Sequence, residues 1–135
     1  MISWRETYNI GVDEVDQQHQ ELVVKLNEFL DACIQQKGKE KIMETLAFLR
    51  DYTVEHFRSE EEIMLKYNYP EYAEHKKDHD EFVASVLELE ASIQTQGATV
   101  VTTLKLNRTL TDWLLSHISK SDMKIGQFLR INNIV

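Results

Sequence analysis

Residues 56–82 read HFRSEEEIMLKYNYPEYAEHKKDHDEF. One residue interrupts the stretch, Pro70, and the composition on either side of it is helix-forming, rich in Glu, Lys, Leu and Ala. Before the break, His56 and Glu60 stand four apart; after it, His75 and His79 do the same. A spacing of four places both members of a pair on one helical face. Two helices joined by a short connection are antiparallel neighbours, so the end of one and the start of the next meet at the same depth. The reading of residues 71–82 follows from this: Glu71, Lys76, Lys77, Asp78 and Glu81 face water, while Tyr72, His75, His79 and Phe82 trace one inward stripe.

The same pattern extends in both directions. Gly38, Pro70 and Gly97 divide residues 17–120 into four helix-forming segments of similar length. Each carries an apolar stripe at spacings of three and four. In the first it is Leu22, Val23, Leu26, Phe29, Leu30 and Cys33; in the second Ile42, Leu46, Leu49, Tyr52, Thr53 and Ile63. In the third it is Tyr72, Phe82, Val83, Val86 and Leu89; in the fourth Leu106, Leu110, Trp113 and Leu114. No alternating strand pattern competes. The expected fold is all-α, an up-down-up-down antiparallel four-helix bundle over residues 16–120 within a single domain, 1–135. Residues 1–15 form an N-terminal arm, with Trp4, Tyr8 and Ile10 available for packing, and residues 121–135 add a short C-terminal helix. Asp16 is the expected N-cap of the first helix, and Pro70 is expected in the first turn of the third.

Bulk properties narrow the function. The chain has 135 residues, 42% hydrophobic and 28% charged, with a net charge of -8, which is ordinary for a soluble domain able to bury a core. An acidic balance without a basic patch argues against nucleic acid and against an anionic membrane surface as partners. The stretch MISWRETYNIGVDEV has no cationic region followed by an apolar run, so no secretory leader is expected, and no apolar run is long enough to span a membrane. Cys33, the single cysteine, forms no intrachain disulfide and reads as a small core hydrophobe. A cytoplasmic location is expected.

All five histidines fall on inward faces. His19 precedes Leu22 and Val23 by three and four; His56 follows Tyr52 by four; His75 follows Tyr72 by three; His79 precedes Phe82 and Val83 by three and four; His117 follows Trp113 and Leu114 by four and three. Glu60 shares the face of His56, whereas Glu61 and Glu62 rotate away and read as solvated acids. Asp122 follows His117 by five, off-face by about 140° on a regular helix; it turns inward only if the helix widens to a π-type turn or ends there. In an antiparallel bundle all seven groups lie at one end. Unpaired imidazoles buried together are costly, so a common partner has to satisfy them.

Five imidazoles and two carboxylates exceed the four ligands of a zinc ion and carry too much nitrogen for calcium or magnesium. Imidazole with carboxylate suits iron, manganese or copper. If both carboxylates and one solvent oxygen bridge two metals, a metal with three histidines has six ligands and one with two histidines has five. That count leaves one position open for a small molecule. A ferritin-like site would place Glu three residues before each ligand histidine; Thr53, Tyr72, Lys76 and Leu114 occupy those places before His56, His75, His79 and His117.

The segments WRETYNIGVDEVDQQHQEL, HFRSEEEIMLKYNYPEYAEHKKDHDEF and DWLLSHISKSD, with their His-x3-Glu, His-x3-His and His-x4-Asp spacings, make the chain resemble the single-domain bacterial hemerythrins. The resemblance implies a non-haem di-iron centre that binds dioxygen reversibly and is not an enzyme. It implies that His75, His79 and His117 hold a six-coordinate iron and that His19 and His56 hold a five-coordinate one. Glu60, Asp122 and an oxo or hydroxo group then bridge the two iron ions. Leu22, Phe57, Trp113, Leu114 and Ile118 match the positions lining the O₂ pocket, and each is also readable as plain core. Oxygen storage, delivery or scavenging is the expected role. Sensing of O₂, redox state or nitric oxide, or iron handling, remains the alternative use of the same site, with an unidentified protein partner left open.

Overall fold

The computed structural model describes residues 3–97 and 99–134; for residues 100–107 it describes the backbone alone. An arm with one 3₁₀ turn, Glu6–Tyr8, leads into α1 (Asp13–Ile34), α2 (Lys39–Lys66), α3 (Tyr72–Gln96) and α4 (Val100–Ser116). A π turn, His117–Asp122, joins α4 to α5 (Met123–Ile131) without a break. The fold is the all-α four-helix bundle expected from the stripes, with α1 packed on α2 and α4, and α2 on α3. Among the described residues no helix is long and apolar enough to cross a membrane.

The stripes become one continuous core. Leu22, Leu26, Phe29 and Leu30 of α1 meet Ile42, Leu46, Leu49 and Phe57 of α2, Phe82 and Val86 of α3, and Leu110 and Leu114 of α4. Burying each such side chain contributes about 1.5–3 kcal/mol. Trp4 and Tyr8 pack against this cluster and Ile10 is fully buried, so the arm is part of the core. The side chain of Leu106 lies outside the described residues. A second cluster, Met64, Tyr69, Ile125 and Leu129, seals the end of the bundle beneath α5.

Two local expectations change. α1 starts at Asp13 with Val12 as its N-cap, so Asp16 sits inside the first turn. Its carboxylate reaches backwards instead, accepting the backbone N–H groups of Ile10 at 2.7 Å and Gly11 at 3.2 Å. The arm, being packed down, presents these otherwise unpaired donors to the nearest buried carboxylate. Pro70 lies in the turn before α3, whose N-cap is Glu71, rather than in the first helical turn.

Gly126 fixes how α5 meets the arm. A Cβ at this position would lie 2.0 Å from the Ile10 carbonyl oxygen. The Arg130 guanidinium donates to the same carbonyl at 2.8 Å. Replacing Gly126 by alanine gains at most about 1 kcal/mol of helix propensity, whereas a clash with immobile backbone belongs at the upper end of the 1–3 kcal/mol, roughly, that overpacking costs. Gly126→Ala is therefore expected to lose about 2 kcal/mol of stability in denaturant unfolding; an unchanged midpoint would show that the arm shifts freely.

Candidate metal centre

Alternating helix direction brings the start of α1, the end of α2, the start of α3 and the end of α4 to one place. There the structure collects all seven expected groups: His19, His56, Glu60, His75, His79, His117 and Asp122. All are buried, His19 and Asp122 completely. Asp122 reaches the cluster through the π turn, which adds a residue to one helical turn and rotates it onto the face of His117.

The histidines form two groups. His19 and His56 lie 4.6 Å apart between ring centres. His75, His79 and His117 form a triangle with centres 4.5, 4.6 and 4.8 Å apart. The carboxylates stand between the groups, and each directs one oxygen to either side. Glu60 Oε1 is 3.3 Å from His56 Nε2 and 3.6 Å from His19 Nε2, while Oε2 is 3.6 Å from His79 and 3.9 Å from His75. Asp122 Oδ2 is 2.9 Å from His19 Nε2, while Oδ1 is 3.0 Å from both His75 and His117. Nε2 of His79 and of His117 also face one another at 3.0 Å.

These are ligand-type atoms brought together with few aligned hydrogen bonds among them. Among the described residues, Nε2 of His19 and His75 and all four oxygens of Glu60 and Asp122 are buried without an aligned hydrogen-bond partner. Orphaned polar atoms at this density are costly in a native core. Two overlapping donor sets, one of three histidines and one of two, share both carboxylates, with all donor atoms of a set within 4.8 Å of one another. Cations would satisfy that arrangement. Nitrogen with carboxylate oxygen is the donor chemistry of iron, manganese or copper, and the residues present fit iron.

Aromatic rings and outer hydrogen bonds hold the imidazoles in place. Phe57 stacks on His79 with centres 3.7 Å apart and 4° between planes, and Trp113 stacks on His117 at 4.4 Å and 13°. Leu22, Leu114 and Ile118 are buried in the adjoining core. Two contacts went unread in the sequence. Gln18 Oε1 lies 2.7 Å from His56 Nδ1, and Glu61 Oε2 lies 2.9 Å from His79 Nδ1. Glu61 is thus not simply a solvated acid. Nothing in the local pattern separates it from Glu62; the contact exists because α3 packs against α2.

Charge dominates the metal-free site. Burial by itself would lower the pKa of His19 and His75, but the Asp122 and Glu60 carboxylates close beside them outweigh it, lifting His19 to about 10 and His75 to about 9. Burial pushes both carboxylates up, and the Glu60 charge pushes Asp122 further. The surrounding histidines nonetheless hold both well below the usual carboxylate range.

Comparison with known proteins places this geometry. Residues 10–129 match the family model described as the hemerythrin HHE cation binding domain. Bacteriohemerythrin of Stenotrophomonas maltophilia is 33% identical over 122 residues, 90% of this chain and 77% of that protein. Bacteriohemerythrin of Methylococcus capsulatus is 32% identical over 130 residues, 96% of this chain and 97% of that one. The crystal structure of wild-type hemerythrin superposes with a TM-score of 0.83 at 32% identity, covering 94% of this chain and 96% of the other.

The raised histidines set a pH dependence. Their protonated forms stabilise the metal-free fold fully below the ordinary value of 6.5, and that contribution is lost as pH rises through about 9 to 10. The denaturation midpoint of metal-free protein is expected to fall between pH 7 and 10. Metal-loaded protein should not follow it, because the metal displaces those protons. Parallel pH profiles of the two forms in chemical denaturation would contradict this.

Proposed function

This chain belongs to the hemerythrin family, and on that premise we propose that it binds dioxygen reversibly at a centre of two iron ions. The observation that carries the proposal is the pair of carboxylates, Glu60 and Asp122, each offering one oxygen to the two-histidine group and one to the three-histidine group. His75, His79 and His117 would hold one iron and His19 and His56 the other, with Glu60 and Asp122 shared between them. When bound, the irons would supply redox-active centres, and the smaller donor set would leave room for a ligand on the His19 side.

The protein's own residues do the rest. Five imidazoles against two carboxylates make the site rich in nitrogen donors, which favours holding a ligand over turning it over. Leu22, Phe57, Trp113, Leu114 and Ile118 would wall the ligand's position with apolar surface and disfavour water there. Storage, delivery or scavenging of oxygen in the cytoplasm fits this reading, with dioxygen as the ligand and no enzymatic step.

Metal analysis with optical spectra through cycles of air and anaerobic reduction tests it. Two irons per chain, and a visible band that comes with O₂ and leaves with its removal, are expected. A single zinc, or iron without an O₂-dependent band, would overturn the reading, the latter in favour of iron handling. Leu114→Ala opens the apolar wall and is expected to speed decay of the oxygenated form by several-fold; an unchanged decay rate removes Leu114 from the pocket.

A further inference from the structure

The two halves of the centre differ in what stands behind their histidines. Behind His79 is a carboxylate: Glu61 Oε2 is 2.9 Å from Nδ1. An ionised carboxylate only accepts, so the proton is on His79 Nδ1 and the lone pair of Nε2 faces the centre. Behind His56 is a neutral amide, Gln18, whose Oε1 is 2.7 Å from Nδ1. The Gln18 amide nitrogen donates to Ser59 Oγ at 3.4 Å, and Ser59 donates onward to the Glu55 carbonyl. That chain leaves the amide oxygen for His56 and selects the same tautomer. Both rings present Nε2 inward, but one is backed by a negative charge and the other by a dipole.

The difference has an electronic consequence. A charged acceptor draws the Nδ1 proton more strongly than a neutral one, and the ring becomes a better donor at Nε2. Phe57, stacked flat on His79, holds the ring in the plane where this contact acts. Glu61 is 19% exposed and lines, with His79 and Arg58, a surface cleft of about 370 Å³ between α2 and α3. Its carboxylate is therefore partly hydrated, unlike that of Glu60, which is 1% exposed.

We propose that Glu61 is a positioning residue that makes the two irons unequal. It enriches the three-histidine half through His79, while Gln18 leaves the two-histidine half, the one with the open position, poorer in electrons. The inference rests on the di-iron reading and deepens it. Electron enrichment favours the oxidised state, so the centre's midpoint potential is held lower than the seven inner groups alone would set it.

Glu61→Gln keeps the size and the hydrogen-bond acceptor but removes the charge. It is expected to retain two irons per chain and to shift the midpoint potential upward in a spectroelectrochemical titration; Gln18→Glu is expected to shift it downward. Glu61→Ala also removes the acceptor and is expected to weaken metal affinity by about 10–100-fold. In metal-free protein, nitrogen NMR is expected to show His79 as the Nδ1–H tautomer in the parent and in Glu61→Gln, and as a mixture in Glu61→Ala. An unchanged potential in an iron-loaded Glu61→Gln protein overturns the electronic role, and an unchanged tautomer in Glu61→Ala overturns the positioning role. Failure of the parent to hold two irons is a separate result: it removes the di-iron reading and the redox inference with it, while the NMR still decides whether Glu61 orients His79.

Discussion

Two carboxylates with no exposure to speak of, Glu60 at 1% and Asp122 at 0%, are the constraint on which the rest of this structure depends. An isolated carboxylate in such a place is strongly destabilising. Glu60 and Asp122 lie beside each other as well, which makes ionising both harder still. They persist because five imidazoles from four helices surround them. Without positive charge between them, from protons or from metal, the end of the bundle would be a cluster of orphaned acceptors. The site and the fold are therefore coupled: the helices position the donors, and the cations the donors hold keep the helices together.

That coupling accounts for features that are awkward by themselves. A π turn is rare, yet here it carries the chain from His117 to Asp122 so that both face inward. The arm, which among the described residues has one 3₁₀ turn, is held through Asp16 at one side and through Gly126 and Arg130 at the other. Trp4, carried by that arm, comes within 6.5 Å of the His19 ring, which puts a large apolar side chain near the one end of the core that is polar. The apolar cluster beneath supplies the stability that the polar end does not.

The same geometry distributes the histidines' second nitrogens unequally. His56 leans on an amide and His79 on a carboxylate, while the rings of His79 and His117 are covered by Phe57 and Trp113. A centre whose halves have different outer partners presents unequal donors on its two sides.

Much of this is written in local spacing. The four apolar stripes, the breaks at Gly38, Pro70 and Gly97, and the pairs His56–Glu60 and His75–His79 determine helices and faces, because helical geometry relates residues three and four apart without help from the rest of the chain. Antiparallel topology then places the histidines at one depth. Other features depend on partners far away in sequence. Whether Asp122 turns in depends on the π turn, for which a spacing of five is only a condition. Glu61 and Glu62 are equivalent in the local pattern, and only the approach of α3 gives one of them His79. Gly126 reads as an ordinary glycine until the carbonyl of Ile10 arrives beside it. The sequence by itself determined which residues share a face, since that is a property of one helix. The tertiary structure decided which of them touch, since contact across helices depends on how whole side-chain surfaces pack, and no short stretch contains that information.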